Sequence, residues 1–353
     1  MLTTTAAGGK IVFFPKELPT MSRSSPMTGQ TSLSRDCLAH YPFKSRWMDI
    51  DGRRMHYVDE GPVLDELPSV ETLLFVHGNP TWSYHWRNLI LNFRNRYRCV
   101  AVDHLGCGLS DKGGPPLSLE DHINHLSKCI DQLDVGAITL VAQDWGGAIG
   151  LGTMLRRADQ LKRIVLFNTG AYPPPSIPWR IQICRMPLIG RWAVQGMNLF
   201  ARTALRMALS CRTHLEDEVA KSYLAPYHSW QTRQAIYDFV ADIPGSPNHP
   251  TWSTLAEIEA GLPSLSIRPA CLIWGMRDWC FTPSCLDRFV NIWPEAVVHR
   301  LDDVGHWVVE DAPERALEFT QAFLDNDLSA GHLPTKPTLA STSTPDSTTP
   351  TSR

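Results

Sequence analysis

The stretch from Gln143 to Gly147 combines a carboxylate with the small residues that a sharp turn requires. It follows the apolar run Ala137 to Ala142 and precedes a run of small residues that begins at Ala148. A β-branched run of this kind predicts a buried strand, and glycine allows a tight turn into a closely packed helix. This pattern is typical of a nucleophile elbow, in which Ser or Cys is the usual nucleophile. Here the position holds Asp144, whose carboxylate can attack an electrophilic carbon and leave an ester on the enzyme.

Two further polar residues follow in the order that an elbow nucleophile requires, which is nucleophile, acid, histidine. Asp278 comes just after the apolar run Ala270 to Trp274, and His306 lies in the loop after the last predicted strand. Open α/β sheets place their sites in the loops at the carboxyl ends of strands, so we expect both side chains near Asp144. Alone, Asp278 is equally consistent with a turn residue and His306 with a surface histidine. Their joint placement favours a catalytic acid and base.

Asn79 and Trp145 are the candidates for stabilising negative charge. Asn79 follows another predicted strand, in the segment His77 to Pro80, and Trp145 directly follows the nucleophile. Their backbone N–H groups are expected to form an oxyanion hole. Their side chains are uncharged donors, which suit a leaving anion that gains charge as its bond to carbon breaks. The alternative is that Trp145 only packs and that Asn79 is a turn residue.

Short β-type runs alternate with helical patterns through the middle of the chain. This alternation predicts a mostly parallel sheet with helices on both faces. The predicted strands are 73–76, 98–102, 137–142, 163–167, 270–274 and 296–300. Apolar residues at three- and four-residue spacing from Ile123 to Leu133 predict an amphipathic helix. Asp51-Gly52 predicts the turn of an earlier hairpin.

The alternation stops from about Gly170 to about Leu262, where helical patterns rich in apolar and aromatic residues follow Tyr172 and three prolines. We predict a helical cap inserted after one core strand, with most of its apolar residues in its own core. The predicted organisation is a disordered N-terminal extension at 1–38, the first part of the core at 39–169, the cap at 170–262, the second part of the core at 263–327 and a disordered Ser/Thr/Pro-rich tail at 328–353.

Length, composition and charge exclude several classes of protein. At 353 residues the chain is long enough for one large α/β domain with an inserted or second domain. Its formal net charge of −3 gives no long-range attraction for nucleic acid, so we predict no nucleic-acid partner. No apolar run reaches about 18 residues, which predicts no transmembrane helix. The apolar run Ile11 to Phe14 is too short for a signal peptide.

The cysteines indicate a reducing environment. The chain has 9 of them, with no CxxC pair, and Cys99 and Cys271 fall inside predicted strands. An odd, scattered set favours buried thiols over disulfides, and we predict a cytoplasmic location. Cys280 and Cys285 lack a second pair of ligands, so loop thiols are favoured over a metal site. No metal and no organic cofactor are expected.

Four motifs together closely resemble the haloalkane dehalogenase family of α/β-hydrolases, over about residues 40–325. They are the segment His77 to Trp82, the segment Asp103 to Lys112, the segment Gln143 to Gly147, and Gly305-His306-Trp307. The resemblance implies the α/β-hydrolase fold, a mostly parallel sheet with helices on both faces and an inserted helical cap. The glycines of 103–112 match no phosphate-loop pattern, so we predict a structural loop there.

The resemblance also implies a role for each matching residue. It makes Asp144 the nucleophile, His306 the base, and Trp145 with Asn79 the pair that stabilises the halide. Some branches of the family place a Glu acid after the strand that ends here at Phe167. This chain has Asn168 at that position, so Asp278 is the expected acid, as in branches that carry Asp one strand later.

The cap segments leave the substrate open. Residues 166–173, 223–227 and 242–244 look like the third dehalogenase branch, which is similar to the β-lactone decarboxylases of bacterial long-chain olefin synthesis. Because those enzymes share the nucleophile, acid and histidine, the triad does not separate the two activities. Haloalkane dehalogenation is the first hypothesis and β-lactone decarboxylation the second. The expected partner is a small apolar halogenated or lactone substrate, and association with itself or with partner enzymes is left open.

Two further hypotheses remain. An epoxide hydrolase resembles this elbow but needs two cap tyrosine hydroxyls, for which Tyr223, Tyr227 and Tyr237 are candidates. Asn79 counts against it, because a halide-type donor has no clear role with an epoxide. The non-enzymatic alternative is a ligand-binding receptor on a hydrolase fold. Turnover of any of the three substrate classes would argue against the receptor.

Overall fold

The computed structural model describes residue 38 and residues 40–62, 71–210 and 213–326 of the chain. Of the predicted N-terminal extension only Leu38 is described, and the predicted tail at 328–353 lies outside the described residues. Among the residues that are described, no helix is both long enough and apolar enough to cross a bilayer.

The strands of the described chain form one eight-stranded sheet in the order β1-β2-β4-β3-β5-β6-β7-β8. Their bounds are Arg46–Ile50 for β1, Arg53–Glu60 for β2, Thr72–Val76 for β3, Arg98–Val102 for β4, Ile138–Asp144 for β5, Leu161–Thr169 for β6, Ala270–Gly275 for β7 and Val297–Leu301 for β8. β2 runs antiparallel to both β1 and β4, and the other neighbouring pairs are parallel. The predicted mostly parallel sheet is confirmed.

The turn between β1 and β2 lies at Asp51 and Gly52, as predicted. Their φ angles are 55° and 78°. Positive φ at both positions of a two-residue loop is the geometry of a type I′ turn, whose twist matches that of the flanking strands. The hairpin pairs Ile50 with Arg53 at its end.

The inner strands are almost continuously apolar because both faces of the sheet are covered. Every residue of β3 and β4 is buried. Successive side chains of β3 enter two different cores: Leu74 and Val76 pack on one face of the sheet, and Leu73 and Phe75 on the other. A parallel sheet with helices on both faces requires this double burial.

Helices connect the strands. Their bounds are Arg87–Phe93 for α1, Leu119–Gln132 for α2, Trp145–Leu155 for α3, Trp179–Arg185 for α4, Ile189–Arg191 for α5, Leu199–Met207 for α6, Asp217–Leu224 for α7, Gln234–Ala241 for α8, Pro250–Gly261 for α9, Pro283–Ile292 for α10, Val308–Asp311 for α11 and Pro313–Asp325 for α12. α2 is the amphipathic helix predicted from Ile123 onward. It begins earlier, because the Ser118 hydroxyl accepts the Asp121 N–H and the Asp121 carboxylate accepts the Ser118 N–H.

Helices α4 to α9 lie between β6 and β7, in the interval where we predict the cap. α9 differs from the others because it packs against α2 and α3, which cover the sheet. A Cβ at Gly152 of α3 would meet the Ile258 side chain of α9 at 3.1 Å, so the glycine allows the two helices to approach closely. The division of the chain into core and cap at 170 and 262 remains a prediction.

Candidate active site

Asp144 lies at a sharp turn between β5 and α3. Its φ is 53° and its ψ is −132°, a left-handed backbone conformation that L-residues rarely adopt. The turn needs glycine nearby: a Cβ at Gly146 would lie 2.1 Å from the Val76 carbonyl oxygen. Thr169, at the end of β6, donates its hydroxyl to the Asp144 carbonyl oxygen. The strained residue is therefore fixed by packing on one side and by a hydrogen bond on the other.

The Asp144 carboxylate contacts two neighbouring loops. Its Oδ1 accepts the backbone N–H of Asn79 at 2.7 Å. Its Oδ2 lies 3.5 Å from Nε2 of His306. Gly78 permits the first contact, because a Cβ there would lie 2.2 Å from Oδ1. One carboxylate oxygen is therefore held by a backbone donor, and the other faces the imidazole.

His306 and Asp278 form a close pair. His306 Nδ1 lies 2.6 Å from Oδ2 of Asp278, whose side chain is fully buried. The same carboxylate accepts the Cys280 backbone N–H at 2.7 Å and the Asn168 amide at 3.0 Å. A carboxylate on Nδ1 orients the ring so that Nε2 faces Asp144, which is the arrangement of a nucleophile, base and acid. The structure thus brings together Asp144, Asp278 and His306, the three residues that the sequence predicts as nucleophile, acid and base.

The protonation of His306 reflects this surrounding charge. Burial alone lowers its pKa, but the Asp278 charge and the hydrogen bonds to Asp144 and Asp278 outweigh burial and raise it from 6.5 to about 10. In the resting protein the imidazole is therefore a cation between two carboxylates at neutral pH. Loss of the negative charge on Asp144 would lower the pKa of His306 again.

Asn168 and Gln143 support the pair, and sequence reasoning did not assign them this role. Asn168 donates to both the Gly275 carbonyl and Asp278, and its carbonyl oxygen accepts the Gly275 N–H. Gln143 donates its amide to the His306 carbonyl oxygen at 2.5 Å. The sequence at Asn168 indicates only that no acid follows this strand. The available signal was its place at the carboxyl end of β6, at the same sheet edge as the triad.

The two expected halide donors both lie against helix α8. The Asn79 side chain lines a cavity beside Asp144, and its amide donates to the Ile236 carbonyl of α8 at 3.0 Å. Trp145 packs its ring against Phe239 of α8, with ring centroids 5.6 Å apart. Both residues therefore contact the same helix. Their joint action on a leaving anion remains a proposal.

A cavity of about 280 Å³ opens beside the triad. Asp144, Asp278 and His306 lie in its wall. The rest of the wall is mostly apolar and includes Trp179, Ile181, Ile183, Val194, Leu199, Phe200 and Met207 of the segment between β6 and β7. An apolar cavity with a few convergent polar groups suits a small apolar ligand.

The three tyrosines considered for an epoxide are not in this wall. The Tyr223 hydroxyl contacts His85 at 2.8 Å and Glu310 at 2.6 Å. The Tyr227 hydroxyl accepts the Gly108 N–H at 3.2 Å. Within the described chain neither these two nor Tyr237 lines the cavity beside Asp144. These three tyrosines therefore offer no pair of hydroxyls to an epoxide oxygen in the cavity as the described residues form it.

The predicted structural loop at 103–112 is hydrogen-bonded to the segment that follows Asn79. The buried Asp103 carboxylate accepts the N–H groups of Ser83 and Leu109 and contacts His56 Nδ1 at 2.8 Å. Burial raises the pKa of Asp103, but His56 and the hydrogen bonds outweigh it and lower that pKa to about 2. The loop is thus tied to β2 and to the segment after Asn79.

The comparison with known families assigns the fold. The family model described as the alpha/beta hydrolase fold matches residues 71–313. A solved structure of an ancestral haloalkane dehalogenase superposes with a TM-score of 0.72 at 26% identity, covering 79% of this chain and 98% of that one.

Curated relatives carry two different names. A cis-3-alkyl-4-alkyloxetan-2-one decarboxylase of Xanthomonas campestris is 37% identical over 81% of this chain and 98% of that protein. The protein of the same name from Shewanella oneidensis is 35% identical over 80% and 89%. Haloalkane dehalogenase 2 of Mycobacterium tuberculosis is 32% identical over 78% and 93%. The chain therefore belongs to the α/β-hydrolase fold family, with haloalkane dehalogenases and oxetanone decarboxylases among its relatives.

Proposed function

We propose that this chain is a haloalkane dehalogenase-type hydrolase, which cleaves a carbon–halogen bond through an ester on Asp144 and releases alcohol and halide. The position of His306 carries the proposal. Its Nε2 is 3.5 Å from the Asp144 carboxylate and its Nδ1 is 2.6 Å from the buried Asp278. An imidazole so oriented can activate a water beside an ester, which is the step that hydrolysis requires.

The first step forms the ester. Oδ2 of Asp144, which faces the cavity and His306, attacks the saturated carbon, and the bonding electrons leave with the halide. Oδ1 stays on the Asn79 backbone N–H, at 2.7 Å. The Asn79 amide and the Trp145 indole N–H are the proposed donors to the departing halide. Together these groups favour charge leaving the carboxylate and collecting on the halide.

The second step hydrolyses the ester. Because the ester removes the Asp144 charge, the pKa of His306 falls and its proton is released, which leaves the imidazole free to act as a base. His306 then takes a proton from water, the resulting hydroxide attacks Cγ of Asp144, and the negative charge develops on Oδ1. The Asn79 N–H, with the Trp145 N–H as the proposed second donor, stabilises that oxyanion. As this intermediate collapses, His306 gives its proton to Oδ2 and the alcohol leaves with Oδ2. The water oxygen stays on Asp144, and the proton of the new carboxyl group passes to His306, which restores the resting pair.

A β-lactone decarboxylase is the second candidate, because relatives at 37% and 35% identity carry that name. Here Oδ2 would attack the ring carbon C4 of the oxetan-2-one and break its C–O bond, which frees a carboxylate. The C–CO2 bond would then break to form the alkene while the C–Oδ2 bond breaks. The products are carbon dioxide, an alkene and the free Asp144 carboxylate, and no water is consumed.

One experiment tests both candidates. The purified protein is incubated separately with 1,2-dibromoethane and with a long-chain cis-dialkyl β-lactone, in oxygen-18 water. Dehalogenation would release bromide and put oxygen-18 into the Asp144 peptide, which peptide mass spectrometry detects. Decarboxylation would release alkene and leave that peptide unlabelled. Asp144→Asn is the control for both, and the proposal fails if the protein releases no bromide while turning over the lactone.

A cytoplasmic location remains a prediction. It is supported by the cysteines: every one that the structure describes is a free thiol.

A further inference from the structure

The segment from Trp179 to Met207 carries many exposed apolar side chains, and we call the exposed surface of this segment the cap face. Of the 12 large hydrophobic side chains that are exposed in the described chain, 9 belong to it. They are Trp179, Ile183, Met186, Leu188, Ile189, Trp192, Met197, Leu199 and Met207. Leu188 is 85% exposed and Trp179 is 65% exposed. Large apolar side chains that are exposed and concentrated in one segment of the surface indicate a binding surface.

The cap face is also cationic. Between Gly170 and Leu215 the sequence has six arginines and no Asp, Glu or Lys, although the whole chain carries a net charge of −3. Arg180, Arg191, Arg202 and Arg206 are exposed. In the part of the chain that the structure describes, none of these four forms an ion pair, whereas Arg156, Arg157 and Arg315 elsewhere do. Among the described residues, no carboxylate therefore forms an ion pair with these four guanidinium groups.

Exposed Trp and Leu, together with arginines that form no ion pair among the described residues, fit one kind of partner. An anionic lipid surface accepts apolar side chains at the level of its acyl chains and pairs guanidinium groups with its phosphates. Tryptophan is favoured at that interface. A second copy of the cap face would bring the same arginines together, and like charges would repel.

The cap face also adjoins the cavity. Four of its exposed side chains, Trp179, Ile183, Leu199 and Met207, line the cavity beside Asp144. The cavity wall and the apolar surface are therefore continuous. Apolar molecules that dissolve in a bilayer would meet the cavity entrance without crossing water.

We propose that the cap face docks reversibly on anionic lipid surfaces, with the cavity entrance turned toward the lipid. The docking is peripheral, by side chains of α4 to α6 and their connections. It does not depend on the reaction at Asp144. Only the uptake of an apolar substrate from the lipid would rest on the proposed function.

Vesicle flotation of the full chain tests the proposal. Vesicles of phosphatidylcholine alone are compared with vesicles of equal parts phosphatidylcholine and phosphatidylglycerol. We expect the protein to float with the anionic vesicles, to stay behind with the neutral ones, and to be released as salt rises. Replacing Arg202 and Arg206 by Gln should weaken the partition coefficient by about fivefold per arginine. Leu188→Asp should weaken it by about tenfold or more.

Two matched controls lie at the amino ends of two strands, whereas the segment of the cap face follows the carboxyl end of β6. Ile267 is 78% exposed and precedes β7, and Lys162 is exposed at the start of β6. Ile267→Asp and Lys162→Gln should float like the unmodified protein. Equal flotation with both vesicle types, no flotation, or loss in the controls as large as in the cap variants would overturn the proposal.

Size-exclusion chromatography separates the main rival explanation. If the protein fails to float but self-associates, and Leu188→Asp dissociates it, the cap face is an interface between copies and the lipid proposal is wrong. The flotation is repeated with Asp144→Asn, which should bind vesicles normally. Failure of the proposed chemistry would therefore leave the flotation result intact, and failure of flotation would leave the chemistry intact.

Discussion

The side-chain amide of Asn168 lies 3.0 Å from Oδ2 of Asp278, the same oxygen that contacts His306 Nδ1. Asn168 also closes two hydrogen bonds with the backbone of Gly275. It therefore joins the end of β6 to the end of β7 and holds the acid at the distance that the imidazole needs. An amide at this position orients the acid without adding a second negative charge.

Asn168→Ala should lower both activity and stability. The substitution removes a donor to Asp278 and leaves the buried Gly275 N–H without its acceptor, at a cost of about 1–3 kcal/mol in the free energy of unfolding. We expect kcat to fall by about tenfold or more, which is the usual loss when a residue that orients a functional side chain is removed. Asn92→Ala is the control, since Asn92 is exposed on α1 and its side chain donates to the Asn88 carbonyl of the same helix. Unchanged kcat in Asn168→Ala would show that Asp278 needs no such support.

His306→Ala should trap the ester on Asp144. The first step needs only the carboxylate, whereas hydrolysis needs the base, so the intermediate should accumulate. Intact-protein mass spectrometry after incubation with 1,2-dibromoethane should show an added mass of the bromoethyl group. Asp144→Ala should show neither adduct nor bromide. If His306→Ala carries no adduct, the proposed division of roles is wrong.

The raised pKa of His306 predicts how stability depends on pH. The pKa is about 10 in the folded protein and 6.5 for the free group, because the Asp278 charge and hydrogen bonds to both carboxylates outweigh burial. The folded state therefore holds this proton more tightly, and its stabilising effect is complete below about pH 6.5 and lost as pH rises through 10. Urea unfolding across this range should show a decline in the unmodified protein that is weaker in His306→Gln. Parallel curves for the two proteins would contradict the assignment.

Gly78→Ala should lower kcat by about 10²–10³ while the fold persists. The added Cβ would lie 2.2 Å from Oδ1 of Asp144, so the carboxylate or the loop after β3 must move. Loss of the Asn79 donor then costs on the order of 10²–10³ in kcat. At Gly136 an added Cβ would meet nothing within 4 Å, so Gly136→Ala is the matched control. Circular dichroism checks the fold, and full activity in Gly78→Ala would exclude the contact from the mechanism.

Much of the fold was predictable from the sequence because short local patterns determine its strands, turns and helices. The apolar runs of the inner strands, the Asp51-Gly52 turn and the amphipathic period of α2 each depend on neighbouring residues. The predicted ends of the strands were less accurate, because strand pairing decides where a strand ends. β6 continues to Thr169, beyond the predicted 167, and the ladder there pairs Asp144 with Thr169 after a register shift.

The sequence by itself predicted the candidate catalytic residues and their order, because an acid in a nucleophile elbow, followed by Asp278 and His306, is a pattern along the chain. The Asn79 N–H, 65 residues from Asp144, is a donor that the sequence already predicts. Only the tertiary structure showed that Asn168 and Gln143 support the triad, and Gln143 is 163 residues from His306. Such contacts depend on how parallel strands align at one sheet edge. The tertiary structure also decided which apolar side chains are exposed. The sequence predicted that most apolar residues of the cap lie in its own core, whereas those of the cap face are exposed and four of them line the cavity.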